Sequence, residues 1–179
     1  MSLIVLCGKT ASGKTLIRSM LKTKGYEPIV TYTTRPKRSG EIDGKSYHFI
    51  SDEEFDRMID DGEFAEYKSY NVANGDTWRY GSTKESLNKR RDAVIILTPD
   101  GYRDIKDKLP VDHKCIYLYS NRSTIKTRLK FRGDSPDEIE RRMKADNIDF
   151  KDFQYENGVK VVYNNLGDDV TNVLDKIMQ

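Results

Sequence analysis

Residues 8–15 read Gly8, Lys9, Thr10, Ala11, Ser12, Gly13, Lys14 and Thr15, which satisfies the spacing G-x-x-x-x-G-K-[ST]. Chemistry explains that order. Glycines let the backbone curl until successive N–H groups point inward at a phosphate chain, and a helix starting there adds the positive end of its dipole. In such a loop Lys14 would reach the β- and γ-phosphates of a nucleotide, and the Thr15 hydroxyl would hold Mg²⁺. With glycine at roughly 7% of residues, a chance match in a chain of this length is on the order of one per cent. The flanks decide the matter. Four aliphatic residues, Leu3 to Leu6, lead in as a buried strand, and Leu16, Ile17, Met20 and Leu21 follow at helical spacing. The alternative, a strand-to-helix turn that happens to carry a lysine, is rejected.

A second cluster follows. Arg35, Lys37 and Arg38 put three cations into four positions of a turn bounded by Thr33, Thr34, Gly40 and Glu41. Most such runs are solvated loops. Here arginine's planar fork suits bidentate phosphate recognition. Tyr47, Glu66 and Tyr80 lie in the same polar stretch, enough to hold a second, smaller phosphorylated ligand.

The elements that must position these residues alternate. Apolar runs at 3–7, 93–97, 114–119 and 159–163 read as buried strands. Helical patterns run from the loop to Lys24 and over 100–109, 122–131, 136–152 and 169–177. Ser135, Pro136 and Glu138 give the helix at 136 its cap, N1 proline and box glutamate together. Strands separated by helices imply a parallel sheet with right-handed crossovers, and a ligand at the carboxyl ends of the strands. Between Thr31 and Ser82 the character changes to polar and aromatic. There, short strands are expected at 47–50 and 64–67, capping boxes at Ser51–Glu54 and Ser82–Glu85, and a hairpin turn over 71–79 centred on Asn74-Gly75.

The 179 residues suit one domain, and 31 Lys plus Arg against 29 Asp plus Glu leave a net charge of only +2. That balance gives no global attraction to nucleic acid or membrane, so neither is expected as a partner. The first strand starts within three residues of Met1 and no long apolar span follows, which points to the cytoplasm. Cys7 and Cys115 sit in aliphatic runs and read as buried, reduced thiols.

Nearly end to end, the chain resembles the guanylate kinase family of P-loop nucleoside monophosphate kinases. The resemblance rests on Thr33-Thr34-Arg35, Arg38, Gly40-Glu41, Gly44, Tyr47 and Phe49, then Glu63-Phe64, Glu66 and Tyr80-Gly81-Ser82. It continues through Arg128-Leu129, Arg132-Gly133, Arg142-Met143 and Val162 to Asn165. It implies an α/β P-loop fold of three layers with a parallel sheet of about five strands, a small mixed α/β monophosphate-binding insert and a helical lid. The core would be 1–30, 83–121 and 159–179 of a single domain, the GMP-binding insert 31–82 and the lid region 122–158.

Residue roles follow from the same resemblance. Arg35, Arg38, Tyr47 and Tyr80 match positions around the GMP phosphate. Thr31, Glu66 and Ser82, with Gly81 between the last matches, correspond to positions around the guanine. Arg128, Arg132 and Arg142 match lid arginines that act with Lys14 on the transferring phosphate. The bases agree with this: guanine presents N1–H and a 2-amino group on one edge, and one carboxylate accepts from both. Two departures stand out. The family's loop usually reads Gly-Pro-Ser-Gly-x-Gly-Lys-Ser, so Lys9-Thr10-Ala11 replaces Pro-Ser-Gly and Lys9 adds an unassigned cation. The family also usually carries Asp-x-Asp before Gly101, where this chain has Ile96 and Thr98. Asp100 is the acid nearby, and capping the next helix is its competing role.

The implied activity is in-line transfer of the ATP γ-phosphoryl group to GMP, with Mg²⁺, giving ADP and GDP. A kinase for another nucleoside or deoxynucleoside monophosphate is the near alternative. A non-catalytic interaction domain of the same fold is disfavoured by the intact Lys14-Thr15 and the full set of lid arginines. A GTPase switch is disfavoured because no Asn-Lys-x-Asp follows.

Overall fold

The structure, a computed structural model, describes residues 2–71, 75–88 and 92–179. The chain runs β1 (Leu3–Cys7), α1 (Lys14–Thr23), β2 (Glu27–Pro28), β3 (Tyr32–Thr33), β4 (His48–Phe49), α2 (Asp52–Asp60), β5 (Phe64–Asn71) and β6 (Thr77–Thr83). It continues α3 (Lys84–Leu87), β7 (Ala93–Ile96), α4 (Pro99–Ile105), β8 (Lys114–Tyr119), α5 (Arg122–Phe131), α6 (Pro136–Asp149), β9 (Val159–Tyr163) and α7 (Val170–Met178). Two units result, one of Met1–Pro28, Arg91–Tyr102 and Pro110–Gln179, the other of Ile29–Arg90 and Arg103–Leu109.

The first unit is built on a five-stranded, wholly parallel sheet in the order β2-β7-β1-β8-β9. Because β1 is buried on both faces, it is apolar throughout rather than alternating. Ile4, Leu6, Ile116 and Leu118 pack against Ile17 and Leu21 of α1 and Val173, Leu174 and Ile177 of α7. Each such side chain, fully buried, stabilises the fold by about 1.5–3 kcal/mol. Tyr117, one residue out of phase with that set, stacks on Phe150 with ring centroids 5.1 Å apart. Chain order jumps from β7 on one side of β1 to β8 on the other, so the loop after β1 lies at the point where α/β folds bind ligands. Cys7 and Cys115 are buried and free, as their surroundings lead one to expect.

The second unit carries a four-stranded mixed sheet, β4-β3-β6-β5, with β3 parallel to β4 and antiparallel to β6. Phe55 and Met58 of α2 pack on Phe64, the Phe55 and Phe64 rings stacking at 4.5 Å. Ser51 caps α2 as its sequence indicates, accepting from the Glu54 N–H.

Four local expectations are corrected. Ser82 is no cap: it lies inside β6 opposite Glu66, and Thr83 takes the cap position by accepting from the Ser86 N–H at 3.2 Å. Asp100 is no cap either, because the Thr98 hydroxyl accepts from the Gly101 N–H at 3.1 Å. The helix read over 100–109 ends at Ile105 and tightens into a 3₁₀ turn at Lys106–Lys108. The β5–β6 ladder pairs Ser69 with Arg79 and Asn71 with Thr77, so Arg79 belongs to a strand rather than a turn. Asn74 lies outside the described residues, and Gly75 has φ 89°. Among the described residues no helix is long and apolar enough to cross a membrane.

Candidate active site

The phosphate loop is shaped by what surrounds its two glycines. A Cβ at Gly8 would stand 2.5 Å from Ser12 Oγ and 2.8 Å from the Leu118 carbonyl oxygen, so no side chain fits. Gly13 takes φ +101°, and a Cβ there would meet Asn164 Nδ2 at 2.5 Å. With glycine as its cap residue, α1 begins without a side-chain acceptor on its first N–H groups. Those groups are the usual seat of an anion. Lys14 Nζ donates to the carbonyls of Gly8 (2.6 Å) and Lys9 (2.9 Å), which holds its ammonium at the mouth of the loop. Burial pushes the Lys14 pKa down, and the charge of Asp146 opposes that shift. Thr15 is exposed in the first turn of α1.

Other elements grip the loop. Arg128 of α5 donates through Nη1 to the Ala11 carbonyl (3.1 Å) and to Ser120 Oγ (3.3 Å). Asn164, just past β9, donates to the Ser12 carbonyl at 2.7 Å. From α6, Asp146 accepts the Thr10 N–H at 2.8 Å and Asn147 accepts from Lys9 Nζ at 2.6 Å. Lys9, unassigned in the sequence, therefore has a partner. Asp146, Asn147 and the loop-facing role of Asn164 escape sequence reasoning, because contacts spanning some 140 residues leave no spacing signal.

The three candidate lid arginines do not share one place. Arg128 is at the loop, whereas Arg132 and Arg142 converge on Asp134. Arg132 Nε donates to Asp134 at 2.9 Å; Arg142 Nε lies 3.7 Å from Asp134 and 2.6 Å from Glu138.

In the second unit, Arg35 is 3% exposed and forms a fork-to-fork pair with Glu41, at 2.7 and 2.9 Å. Its guanidinium lies 5.3 Å from the Tyr47 ring centre, and Tyr80 meets Tyr47 edge-on at 5.9 Å. Burial raises the Glu41 pKa, but the Arg35 guanidinium and the Arg38 N–H outweigh it and leave the carboxyl below its ordinary range. Glu41 is thus an orienting group that the sequence held in plain view, in the Gly40-Glu41 step, without a role. Arg38 is exposed, and its backbone N–H donates to Glu41 at 2.8 Å.

Across the β5–β6 ladder, Ser82 Oγ donates to Glu66 Oε1 at 2.6 Å. Burial pushes the Glu66 carboxyl up to about 7, against the opposing pull of the Ser82 hydroxyl. Gly81 precedes Ser82 on β6, opposite Tyr67, and a Cβ there would meet the Phe64 ring at 2.6 Å. Thr31 enters through its carbonyl, which accepts from the His48 N–H at 2.9 Å. The structure thus brings Arg35, Tyr47 and Tyr80 together, and Glu66 with Ser82.

The guanylate kinase family model matches residues 1–179. The chain belongs to the guanylate kinase family. It is 33% identical to the guanylate kinase of Caldanaerobacter subterraneus subsp. tengcongensis, with 98% of this chain and 84% of that protein aligned. To the guanylate kinase of Lactobacillus acidophilus it is 32% identical over 86% of this chain and 78% of that one. Among solved structures, a guanylate kinase from Anaplasma phagocytophilum superposes with a TM-score of 0.67 at 20% identity, covering 99% of this chain and 82% of that one. A gluconokinase from Sinorhizobium meliloti 1021 superposes with a TM-score of 0.55 at 14% identity, covering 98% and 89%. The last two likenesses speak for the fold alone.

Proposed function

We propose that this chain transfers the γ-phosphoryl group of ATP to GMP, releasing ADP and GDP. The observation that carries the reading is the Glu66–Ser82 pair, a carboxylate and a hydroxyl 2.6 Å apart. Guanine's N1–H and 2-amino group are two donors that one carboxylate accepts together, and adenine has no such edge. The insert 31–82 would hold GMP: Arg35, Arg38, Tyr47 and Tyr80 at its phosphate, Thr31, Glu66, Gly81 and Ser82 about its base. Residues 8–15 would hold the ATP phosphates within the core, and 122–158 would be the lid that excludes water.

A family of this kind implies Mg²⁺. Mg²⁺ takes hard oxygens, commonly few from protein and the rest from phosphates and water. Among the described residues no cluster of three or more His, Cys, Asp or Glu could hold a metal. The exposed Thr15 at the head of α1 offers the single hydroxyl that such a mixed shell needs. When bound there, Mg²⁺ would neutralise charge on the β- and γ-oxygens. Lys14 would stabilise the same oxygens as charge shifts, and Arg128, Arg132 and Arg142 the transferring group. The acceptor is already a phosphate oxygen, so no strong base is required. ATP and GMP are cytoplasmic solutes, and we place the protein with them.

Because Thr98 is spent on capping α4, a different acceptor, a deoxy or other purine monophosphate, is the second reading. A coupled ADP-release assay with ATP and each of GMP, dGMP, AMP, UMP and CMP tests both. GMP is expected to be the best acceptor. No ADP release above the ATP-only rate with any of the five sinks the kinase reading.

The acceptor arginines supply a sharper test. Arg35→Ala and Arg38→Ala each remove charge-assisted hydrogen bonds, worth about 1.5–3 kcal/mol, so the GMP KM should rise roughly 10- to 150-fold. The ATP KM should stay within about twofold of the parent. Equal effects on both substrates would leave Arg35 as a buried structural partner of Glu41 and Arg38 as a solvated side chain. Loss of Arg132 or Arg142 should instead fall mainly on kcat, since those contacts tighten as the phosphoryl group moves.

A further inference from the structure

Four successive residues of the phosphate loop are held by side chains from elsewhere in the same unit. Lys9 Nζ goes to Asn147 Oδ1, the Thr10 N–H to Asp146 Oδ2, the Ala11 carbonyl to Arg128 and the Ser12 carbonyl to Asn164. The first two holds come from neighbouring positions of α6, the helix that also carries Arg142. They fall where the loop departs from the family's usual Pro-Ser-Gly.

The departure creates a problem that these holds answer. Ala11 has φ +58°, a left-handed conformation that a residue with a Cβ adopts only when its surroundings impose it. On one side of it the Thr10 N–H is fixed by a carboxylate, and on the other Ser12 is fixed by Asn164. Hydrogen bonds to a charged acceptor are about twice as strong as neutral ones. Burial raises the Asp146 pKa, and the Thr10 N–H together with the positive charges of Lys14, Lys9 and Arg142 opposes that shift. Its charge is thereby offset, and what remains specific is the acceptor oxygen aimed at the loop.

We propose that Asp146 and Asn147 are positioning residues for ATP, fixing the crest of the phosphate loop to α6 before the nucleotide arrives. The loop's N–H groups then meet the phosphates preorganised, and the helix bearing Arg142 is joined to the loop that binds the donor. The inference rests on the kinase reading.

Three variants test it: Asp146→Ala, Asp146→Asn and Asn147→Ala. ATP affinity is measured by titration calorimetry without GMP, the KM for ATP and for GMP by ADP release, and folding by thermal melt. Asp146→Ala should weaken ATP binding roughly tenfold, the effect of one lost charge-assisted hydrogen bond, with the GMP KM within about twofold. Asp146→Asn keeps an oxygen for the Thr10 N–H and should restore ATP binding to within about threefold of the parent. Asn147→Ala should weaken ATP binding severalfold and add nothing further in a Lys9→Met background.

Unchanged ATP affinity in Asp146→Ala overturns the proposal, as does an Asn variant no better than Ala. Tighter binding by either would make Asp146 a competing anion and overturn it too. Should Asp146→Ala fail to fold, the exposed Asn147 and its cycle with Lys9 decide alone. A parent that binds ATP yet releases no ADP with any monophosphate sinks the kinase reading, and the binding series still judges the positioning role.

Discussion

Replacing Lys14 by alanine should lower kcat by about 10³-fold while the protein stays folded, the scale of effect seen when a preorganised transition-state donor is removed. The Lys14 side chain is fixed in place by the Gly8 and Lys9 carbonyls at 2.6 and 2.9 Å, so its ammonium needs no reorganisation as charge builds on the transferring phosphate. Interactions that strengthen only in the transition state appear in kcat. The ATP KM should therefore move much less than the turnover. Lys14→Arg should not rescue, because a planar fork cannot satisfy two loop carbonyls as a compact ammonium does. Rates from ADP release and a melt within a few degrees of the parent check this. A folded Lys14→Ala with near-parent turnover would remove the loop from the mechanism.

What the sequence made legible was local. The strand, glycine and lysine order of residues 3–15 gave the loop, and Ser51 and Ser135 gave true caps, because each signal lies within a few residues of what it positions. The misses share one cause. Ser82 and Thr98 look like a cap and a lost carboxylate in one dimension. Their tasks were decided by partners across a sheet and at a helix start: Glu66 for Ser82, the Gly101 N–H for Thr98. Where two adjacent hydroxyls could cap α3, the strand claimed Ser82 and the helix took Thr83. Asp146 and Asn147 had no chance of recognition. On the surface of α6 they read as ordinary solvated positions, and only the fold brings the loop to them.

The base-selecting residue is the assignment with most at stake. Glu66→Gln should weaken GMP use and narrow the preference for GMP over AMP by about two orders of magnitude, with the ATP KM nearly unchanged. In the parent, adenine would set its ring N1, an acceptor, against a buried carboxylate, and sites that leave such a group unpaired discriminate by roughly 10⁴-fold or more. Glutamine keeps one acceptor but adds an amide donor that adenine N1 accepts, so the penalty on AMP falls as the reward for GMP does. Since Thr98 stands where the family usually has a second acid, Glu66 carries this burden without that help. Acidity offers an independent check. Burial raises the Glu66 carboxyl from its ordinary 4.5 to about 7. The folded protein therefore holds a proton that the unfolded chain releases, and this group's contribution to stability falls as pH rises from about 4.5 through 7. Binding runs the other way. Guanine needs the carboxylate, so the GMP KM should climb as pH drops below about 7, by up to tenfold per unit. The GMP phosphate itself gains a proton near pH ~6, as phosphate monoesters do, so the part of the profile that vanishes in Glu66→Gln is the part that belongs to Glu66. If the two pH profiles coincide and the variant still separates GMP from AMP as the parent does, selection resides elsewhere, with Thr31 and Ser82 the next residues to change.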